Sequence, residues 1–278
     1  MVHNITATAD YLARYVDAFG ADALSGLRIG VYSHSGVGRD MLLDLMRGLG
    51  ADFVELGRAD RFVPVDTEAV DPAIRNQLRC WAQAHDLDAI VSTDGDGDRP
   101  LLADNTGTVV VGDILGQITG GLLAPDAAVT PVSSNTGAEA VFARVIRTRI
   151  GSPYVIAGME QAKGRVIGYE ANGGFLLGYP THGLAPLMTR DAVLPMIAPL
   201  VLSRAAGGLA ALVASQPARF TAADRLQNVS TTASQDLVAQ LTRNSDAFLA
   251  LLDGTCAQVD LTDGLRMTLV DGRIVHLR

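Results

Sequence analysis

"LRIGVYSHSGVGRDMLLDLMRGLGADFVEL", residues 27–56, carries the alternation that decides the fold. Leu27–His34 is short, apolar and rich in β-branched residues, the composition of a buried strand. It runs into the glycine turn Ser35–Gly38. Residues 39–50 then place Met41, Leu42, Leu45, Met46 and Leu49 at helical spacing, with Gly48 and Gly50 near the end. Asp52–Leu56 reads as the next strand. Strand, helix and strand in close succession specify a parallel sheet with a covering helix.

The same grammar extends outward. Residues 71–86 open with Asp71 as N-cap and Pro72 at the first helical position, a strong helix start. Residues 88–93 form a third strand, and Pro100–Val111 reads as a hairpin around Asn105-Thr106-Gly107. A second round follows: a strand at 127–134, a helix at 135–145 capped by Asn135 or Thr136, and a short strand at 147–150. After these come a helix from Ser152 (N-cap) and Pro153, a strand at 165–170 and a long helix at 188–206. From about 221 the texture changes to a polar stretch, a helix near 234–252 and three short strand-like runs. The expected fold is α/β: two consecutive α/β units with mixed, mainly parallel sheets sandwiched by helices, then a partial α+β segment. The expected domains are 1–108, 109–220 and an incomplete 221–278.

The 278 residues exceed the ~150 typical of one domain. Apolar residues make up 48% and charged residues 19%, enough to bury a core. A net charge of -8 argues against a nucleic-acid backbone as partner, because that needs a basic footprint. Lys163 is the one lysine beside 21 arginines, so any anion clamp here uses guanidinium forks or backbone N–H groups. Cys80 and Cys256 stand far apart with no Cys-x-x-Cys, as in a reducing compartment. The N-terminal residues lack a basic segment ahead of an apolar run, and the apolar region 194–214 is broken by Pro195, Pro199 and Arg204. Neither a secretory leader nor a membrane partner is expected, and the expected location is the cytoplasm.

Chemistry concentrates in "DGDGDR", residues 94–99. Asp94, Asp96 and Asp98 repel one another unless a positive charge neutralises them. Alternate residues of a strand share a face, which brings the three carboxylates together. Gly95 and Gly97 allow unusual backbone angles. Oxygen ligands at this density suit a hard divalent cation. An EF-hand loop wants Gly at the sixth position and Glu at the twelfth; counted from Asp94 these are Arg99 and Asn105. Mg²⁺ keeps positions open for phosphate oxygens, and Arg99 beside it suits a bound phosphate. A solvated acidic turn without metal is the alternative. There is no P-loop, H-E-x-x-H or G-x-S-x-G pattern, and "GVGRDM" lacks the third glycine of a dinucleotide fingerprint.

"DGDGDR" resembles the metal loop D-G-D-x-D-R of the α-D-phosphohexomutases, the phosphoglucomutase/phosphomannomutase group, with the wording of its bacterial phosphomannomutases. "HSGVGRD" (34–40), "VVGDIL" (110–115) and "RTRIGSPYV" (147–155) resemble successive segments of that family in the family's order. "GYEANGGFLLG" (168–178) resembles its sugar loop, G-E-x-S-G-H, with Asn172 in place of Ser and Gly174 in place of His. The resemblance implies a Mg²⁺-dependent isomerase that moves a phosphoryl group between O1 and O6 of mannose or glucose phosphate. It implies Asp94, Asp96 and Asp98 as metal ligands and Arg99 as a catalytic-site arginine. It also implies Glu170, Asn172 and Gly173 as substrate-binding residues. The family's nucleophile lies in a T-A-S-H-N-P string that does not occur here, and the sequence ends where its Arg-x-Ser-Gly-Thr phosphate loop would begin. The phosphoserine is therefore expected from a missing N-terminal domain or a second chain, and Ser33–Gly38 is expected to be a tight turn. A non-catalytic sugar-phosphate binder is the alternative function. A phosphatase using an aspartate nucleophile and Lys163 is a further one.

Overall fold

The computed structural model describes residues 6–224, 226 and 228–278. The first unit comprises α1 (Ala7–Phe19), β1 (Arg28–Tyr32), α2 (Arg39–Gly48), β2 (Asp52–Leu56), α3 (Pro72–His85), β3 (Ala89–Thr93), β4 (Pro100–Asp104) and β5 (Val109–Val110). Its sheet runs β2-β1-β3-β4-β5, with β1, β2 and β3 parallel and β4 and β5 antiparallel. The second unit comprises α4 (Gly112–Leu123), β6 (Ala127–Pro131), α5 (Ala138–Val141), β7 (Val145–Thr148), α6 (Ser152–Gln161), β8 (Val166–Tyr169), β9 (Phe175–Leu177) and β10 (Leu187–Asp191). It continues into α7 (Leu194–Ala206) and α8 (Leu209–Ala214). Its strand order is β7-β6-β8-β9-β10, the same topology as the first sheet. A third sheet, β11 (Cys256–Asp260), β12 (Leu265–Leu269) and β13 (Ile274–Leu277), is antiparallel throughout and follows α9 (Thr231–Arg243) and α10 (Asp246–Leu251).

The α/β class with a smaller C-terminal sheet is as expected, and several details differ from the sequence reading. The helix expected at 135–145 is the single turn α5, because Asn135 fixes a turn instead. Its N–H donates to Asp113, and its side-chain oxygen accepts from Gly137 N–H and from the Gln117 amide. Neither Asn135 nor Thr136 is the cap; the cap position of α5 is Gly137. Likewise Ser152 is the first residue of α6, and Gly151 precedes it as the cap. The long helix expected at 188–206 is split. Its first residues pair antiparallel with β9, and the Asp191 carboxylate then accepts from Val193 and Leu194 N–H, so the helix starts only at Leu194. Three helices went unread: α1, α4 and the short α8. The buried faces of α4 surround nearly its whole circumference, which leaves no polar period to detect. The region of α1 shows its purpose only in three dimensions, through Tyr11 and Tyr15.

One hydrophobic core runs through both α/β units. It joins Ile29, Val31, Leu45 and Met46 of the first to Ile118, Ile167, Phe175 and Met196 of the second. The outer faces of the sheets carry separate cores, around Leu78 and Ile90 under α3 and around Val155 and Met159 under α6. The C-terminal sheet has its own small core of Leu249, Leu265, Met267 and Leu269. Asp263 ties it to the second unit by accepting from Ile150 N–H at 2.8 Å. Among the described residues no helix is long and apolar enough to cross a membrane.

Buried Asp191 links α1 to the second unit. It accepts from the Tyr11 hydroxyl at 2.8 Å and from the Tyr15 hydroxyl at 2.5 Å. Burial and the Asp191 charge push both phenols well above the ordinary range, so they donate as neutral hydroxyls. Asp191→Ala strands two phenol hydroxyls and two helix N–H groups, and urea unfolding should show a loss of about 3 kcal/mol or more. Tyr15→Phe should cost about 1 kcal/mol by the same measurement.

Buried Asp113, in the first turn of α4, gives a pH signature. Burial pushes its carboxyl up to about 6, despite the hydrogen bond from Asn135 N–H. The folded chain thus holds this proton more tightly than the unfolded chain, whose carboxyl titrates near ~4. Its contribution to stability is present below pH ~4 and is lost as pH rises through about 6. Asp113→Asn does not titrate, so urea midpoints should move in the variant's favour across that window. They should run parallel to wild type above it.

Candidate functional site

In open α/β sheets, ligands gather at the carboxyl ends of parallel strands, where strand order reverses. Both candidate loops lie at such ends. Residues 94–99 connect β3 to the antiparallel β4, and residues 170–174 connect β8 to the antiparallel β9.

The three aspartates do converge, although not by strand alternation. The strand ends at Thr93, and the loop itself folds the carboxylates together. Asp94 is the pivot. One of its carboxylate oxygens accepts from Gly97 N–H at 3.1 Å and from Arg99 N–H at 3.2 Å. Gly97 has φ +84°, the left-handed region that glycine tolerates. Gly95 is not left-handed; its requirement is space, since a Cβ there would stand 3.3 Å from the Phe62 ring. Each of Asp94, Asp96 and Asp98 offers an oxygen within 4.8 Å of the others. Asp94 is buried, Asp98 half-buried and Asp96 exposed. Burial, and then the neighbouring Asp96 and Asp98, push the Asp94 carboxyl up, against the hydrogen bond from Arg99 N–H.

This donor set fits a hard divalent cation such as Mg²⁺. All donors are carboxylate oxygens, and Asp98 Oδ1 is buried with no hydrogen-bond partner. Arg99 Nε lies 3.3 Å from Asp94 and 3.6 Å from Asp98, so this side chain braces the loop. An open pocket of about 460 Å³ borders the loop, lined by Ser35, Arg39, Asp40, Arg61 and Phe62 among others.

Glu170 begins the second loop and is 3% exposed. Its Oε2 has no hydrogen-bond partner. Burial pushes its carboxyl above the usual range, and the Arg190 and Arg99 guanidiniums pull it partly back. The loop is tightly seated. Gly173, at φ +92°, donates its N–H to Glu170 O. A Cβ on Gly112 would meet Ala171 O and Gly173 N at 2.3 Å, so only glycine lets α4 start against this loop. Asn172 spends its side-chain oxygen on Gly174 N–H, and its backbone oxygen accepts from the Thr67 hydroxyl of the first unit at 2.9 Å.

Two residues of the site were not anticipated. Thr67 holds the glutamate loop from across the cleft. Arg190, on the edge strand β10, forms an ion pair with Asp98 at 2.6 Å and so ties the two loops together. Nothing in "MTRD" signals this, because the contact exists only once β10 has paired.

The Ser33–Gly38 turn packs against the aspartate loop, Val37 N–H donating to Gly95 O at 3.1 Å, but its Ser33 and His34 side chains are committed to structural bonds. The Ser33 hydroxyl is buried and donates to Glu55 at 2.8 Å. The His34 ring is buried, with Nε2 donating to Thr93 O at 2.9 Å, so Ser33–Gly38 is a tight structural turn. Lys163 precedes β8 and therefore lies at the opposite end of the strand from Glu170, which removes the aspartyl-phosphatase reading.

Comparison with known proteins agrees with this arrangement. Residues 9–107 match the model described as phosphoglucomutase/phosphomannomutase, alpha/beta/alpha domain II, and residues 103–220 match that of domain III. A phosphomannomutase of Sinorhizobium fredii is 43% identical over 99% of this chain and 61% of its own length. One of Salmonella muenchen is 43% identical over 98% of this chain and 59% of its own length. The chain thus spans about three fifths of these relatives. A phosphoglucomutase/phosphomannomutase family protein of Burkholderia thailandensis superposes with a TM-score of 0.72 at 18% identity, over 94% of this chain and 55% of that one. A Thermus thermophilus protein described as a phosphomannomutase gives 0.65 at 17% identity, over 94% and 58%. With the two domain models in sequence along residues 9–220, and the loops they carry facing one cleft, the chain belongs to the α-D-phosphohexomutase family.

Proposed function

We propose that this chain supplies the metal and sugar sites of a phosphohexomutase, an isomerase that moves a phosphoryl group between O1 and O6 of a mannose or glucose phosphate. The observation that carries the reading is the meeting of three carboxylate oxygens within 4.8 Å of one another with buried Glu170 in one cleft. Residues 1–108 would form the metal unit, 109–220 the sugar unit and 221–278 a C-terminal α+β unit. The phosphoserine donor would come from a further N-terminal domain or a second chain.

In this reading Asp94, Asp96 and Asp98 hold Mg²⁺, which when bound supplies positive charge against the phosphoryl oxygens. Arg99 keeps Asp94 and Asp98 at fixed separation. Glu170 accepts hydrogen bonds from a pair of sugar hydroxyls, and its burial makes an unsatisfied carboxylate costly, which favours the correctly oriented sugar. The Asn172 amide and the Gly173 backbone line the same loop. Phosphoryl transfer of this kind asks the protein for position and charge neutralisation more than for covalent chemistry.

Calorimetry tests the metal. Wild type should bind mannose 1-phosphate with Mg²⁺ dependence, and Asp96→Asn should weaken Mg²⁺ binding about tenfold or more, since affinity follows ligand charge. Binding indifferent to Mg²⁺ and to Asp96→Asn would instead assign the chain as a non-catalytic sugar-phosphate binder. Turnover of mannose 1-phosphate to the 6-phosphate by residues 1–278 should be slight, because Ser33 is committed to Glu55; brisk conversion would reject that assignment.

Glu170→Gln separates the two loops. It should lower mannose 1-phosphate affinity about tenfold, the size of a lost charge-assisted hydrogen bond. Mg²⁺ affinity should stay within about twofold of wild type, as Glu170 is no metal ligand.

A further inference from the structure

Arg190 stands where the cleft's negative charge is densest. Its Nη2 lies 2.6 Å from Asp98 Oδ2, and its charge also acts on buried Glu170. Its stem reaches this place by passing over Gly174. A Cβ at Gly174 would stand 2.9 Å from both Cγ and Cδ of Arg190. Gly174 is not in the left-handed region, so the space it leaves, rather than its backbone angle, is what the arginine uses. Position 174 is where the family pattern has histidine. The Arg190 stem, from the neighbouring strand, takes the space that a Cβ at this position would need.

Asp98 Oδ1 is left for a divalent cation, and a cation held there repels the Arg190 guanidinium on Oδ2 of the same carboxylate. A guanidinium displaced from Asp98 remains beside the cleft, and its planar fork matches phosphate oxygens. We propose that Arg190 is a substrate-positioning residue of the phosphohexomutase site: it occupies Asp98 before metal binds, then turns to the phosphate oxygens of the hexose phosphate, with Gly174 as the opening that admits it. This rests on the reading of the site as a hexose-phosphate site.

Calorimetry with mannose 1-phosphate at saturating Mg²⁺, and Mn²⁺ binding followed by electron paramagnetic resonance without sugar, test it together. For Arg190→Gln, sugar-phosphate affinity should fall about tenfold or more, as for a lost bond between charged partners. Mn²⁺ affinity should rise about threefold, as a half-exposed ion pair no longer competes. Opposite signs are the signature, since a merely structural loss would weaken both. Arg190→Lys, which keeps the charge without the fork, should recover part of the sugar-phosphate affinity. Gly174→Ala, which obstructs the stem without removing the charge, should lower sugar-phosphate affinity while Arg190 is intact, and it stands in should Arg190→Gln not fold. Equal sugar-phosphate binding by wild type and both Arg190→Gln and Gly174→Ala overturns the inference, as does a fall in Mn²⁺ affinity in Arg190→Gln. Absence of mannose 1-phosphate binding by wild type overturns the underlying reading instead.

Discussion

Mutual repulsion among Asp94, Asp96 and Asp98 is the constraint around which the cleft is arranged. Three carboxylates with oxygens inside 4.8 Å are unfavourable together, most of all for buried Asp94. The chain offsets this locally with backbone N–H groups of Gly97 and Arg99, and laterally with two guanidiniums. Arg99 comes from the loop's own end and Arg190 from the other α/β unit.

The two units solve one geometric problem twice. Each sheet has three parallel strands, then a strand that turns back antiparallel, and each places its functional loop at that turn. A loop there starts at a strand's carboxyl end and is anchored on both sides by the ladder. That anchoring suits the positional accuracy phosphoryl transfer requires. The two loops then differ in content: one is glycine-spaced aspartates, the other a buried glutamate closed by Asn172 and Gly173. Thr67 and Arg190 reach across between the two units, so the distance between the aspartate loop and the Glu170 loop is set by side-chain bonds as well as by the shared core.

Legibility in the sequence followed the range of the interaction that makes each feature. β2 was readable to the residue and α3 from its Asp71 cap, because neighbours along the chain determine them. The aspartate loop was readable because its three carboxylates lie within five residues. Asp191 was not, since one residue caps α7, receives two phenol hydroxyls from α1 and ends a strand. The sequence around it is apolar enough to pass for helix throughout. Arg190 was hidden for a related reason: its partners Asp98 and Gly174 are distant in sequence and meet only across the cleft. The shortened helix at 138–141 shows the reverse case, where local propensity for helix lost to the bonds Asn135 makes with Asp113 and Gln117.

The continuous core also bears on how the site can change. Residues of both sheets pack into one cluster, and Asp191 adds buried hydrogen bonds across the same junction. Rotating one α/β unit against the other would expose that apolar surface and strand those donors, a cost far above what a single small ligand returns. Adjustment on ligand binding therefore falls to groups that move cheaply. The half-exposed side chain of Arg190 is one, its stem lying over Gly174 and its guanidinium held by an ion pair.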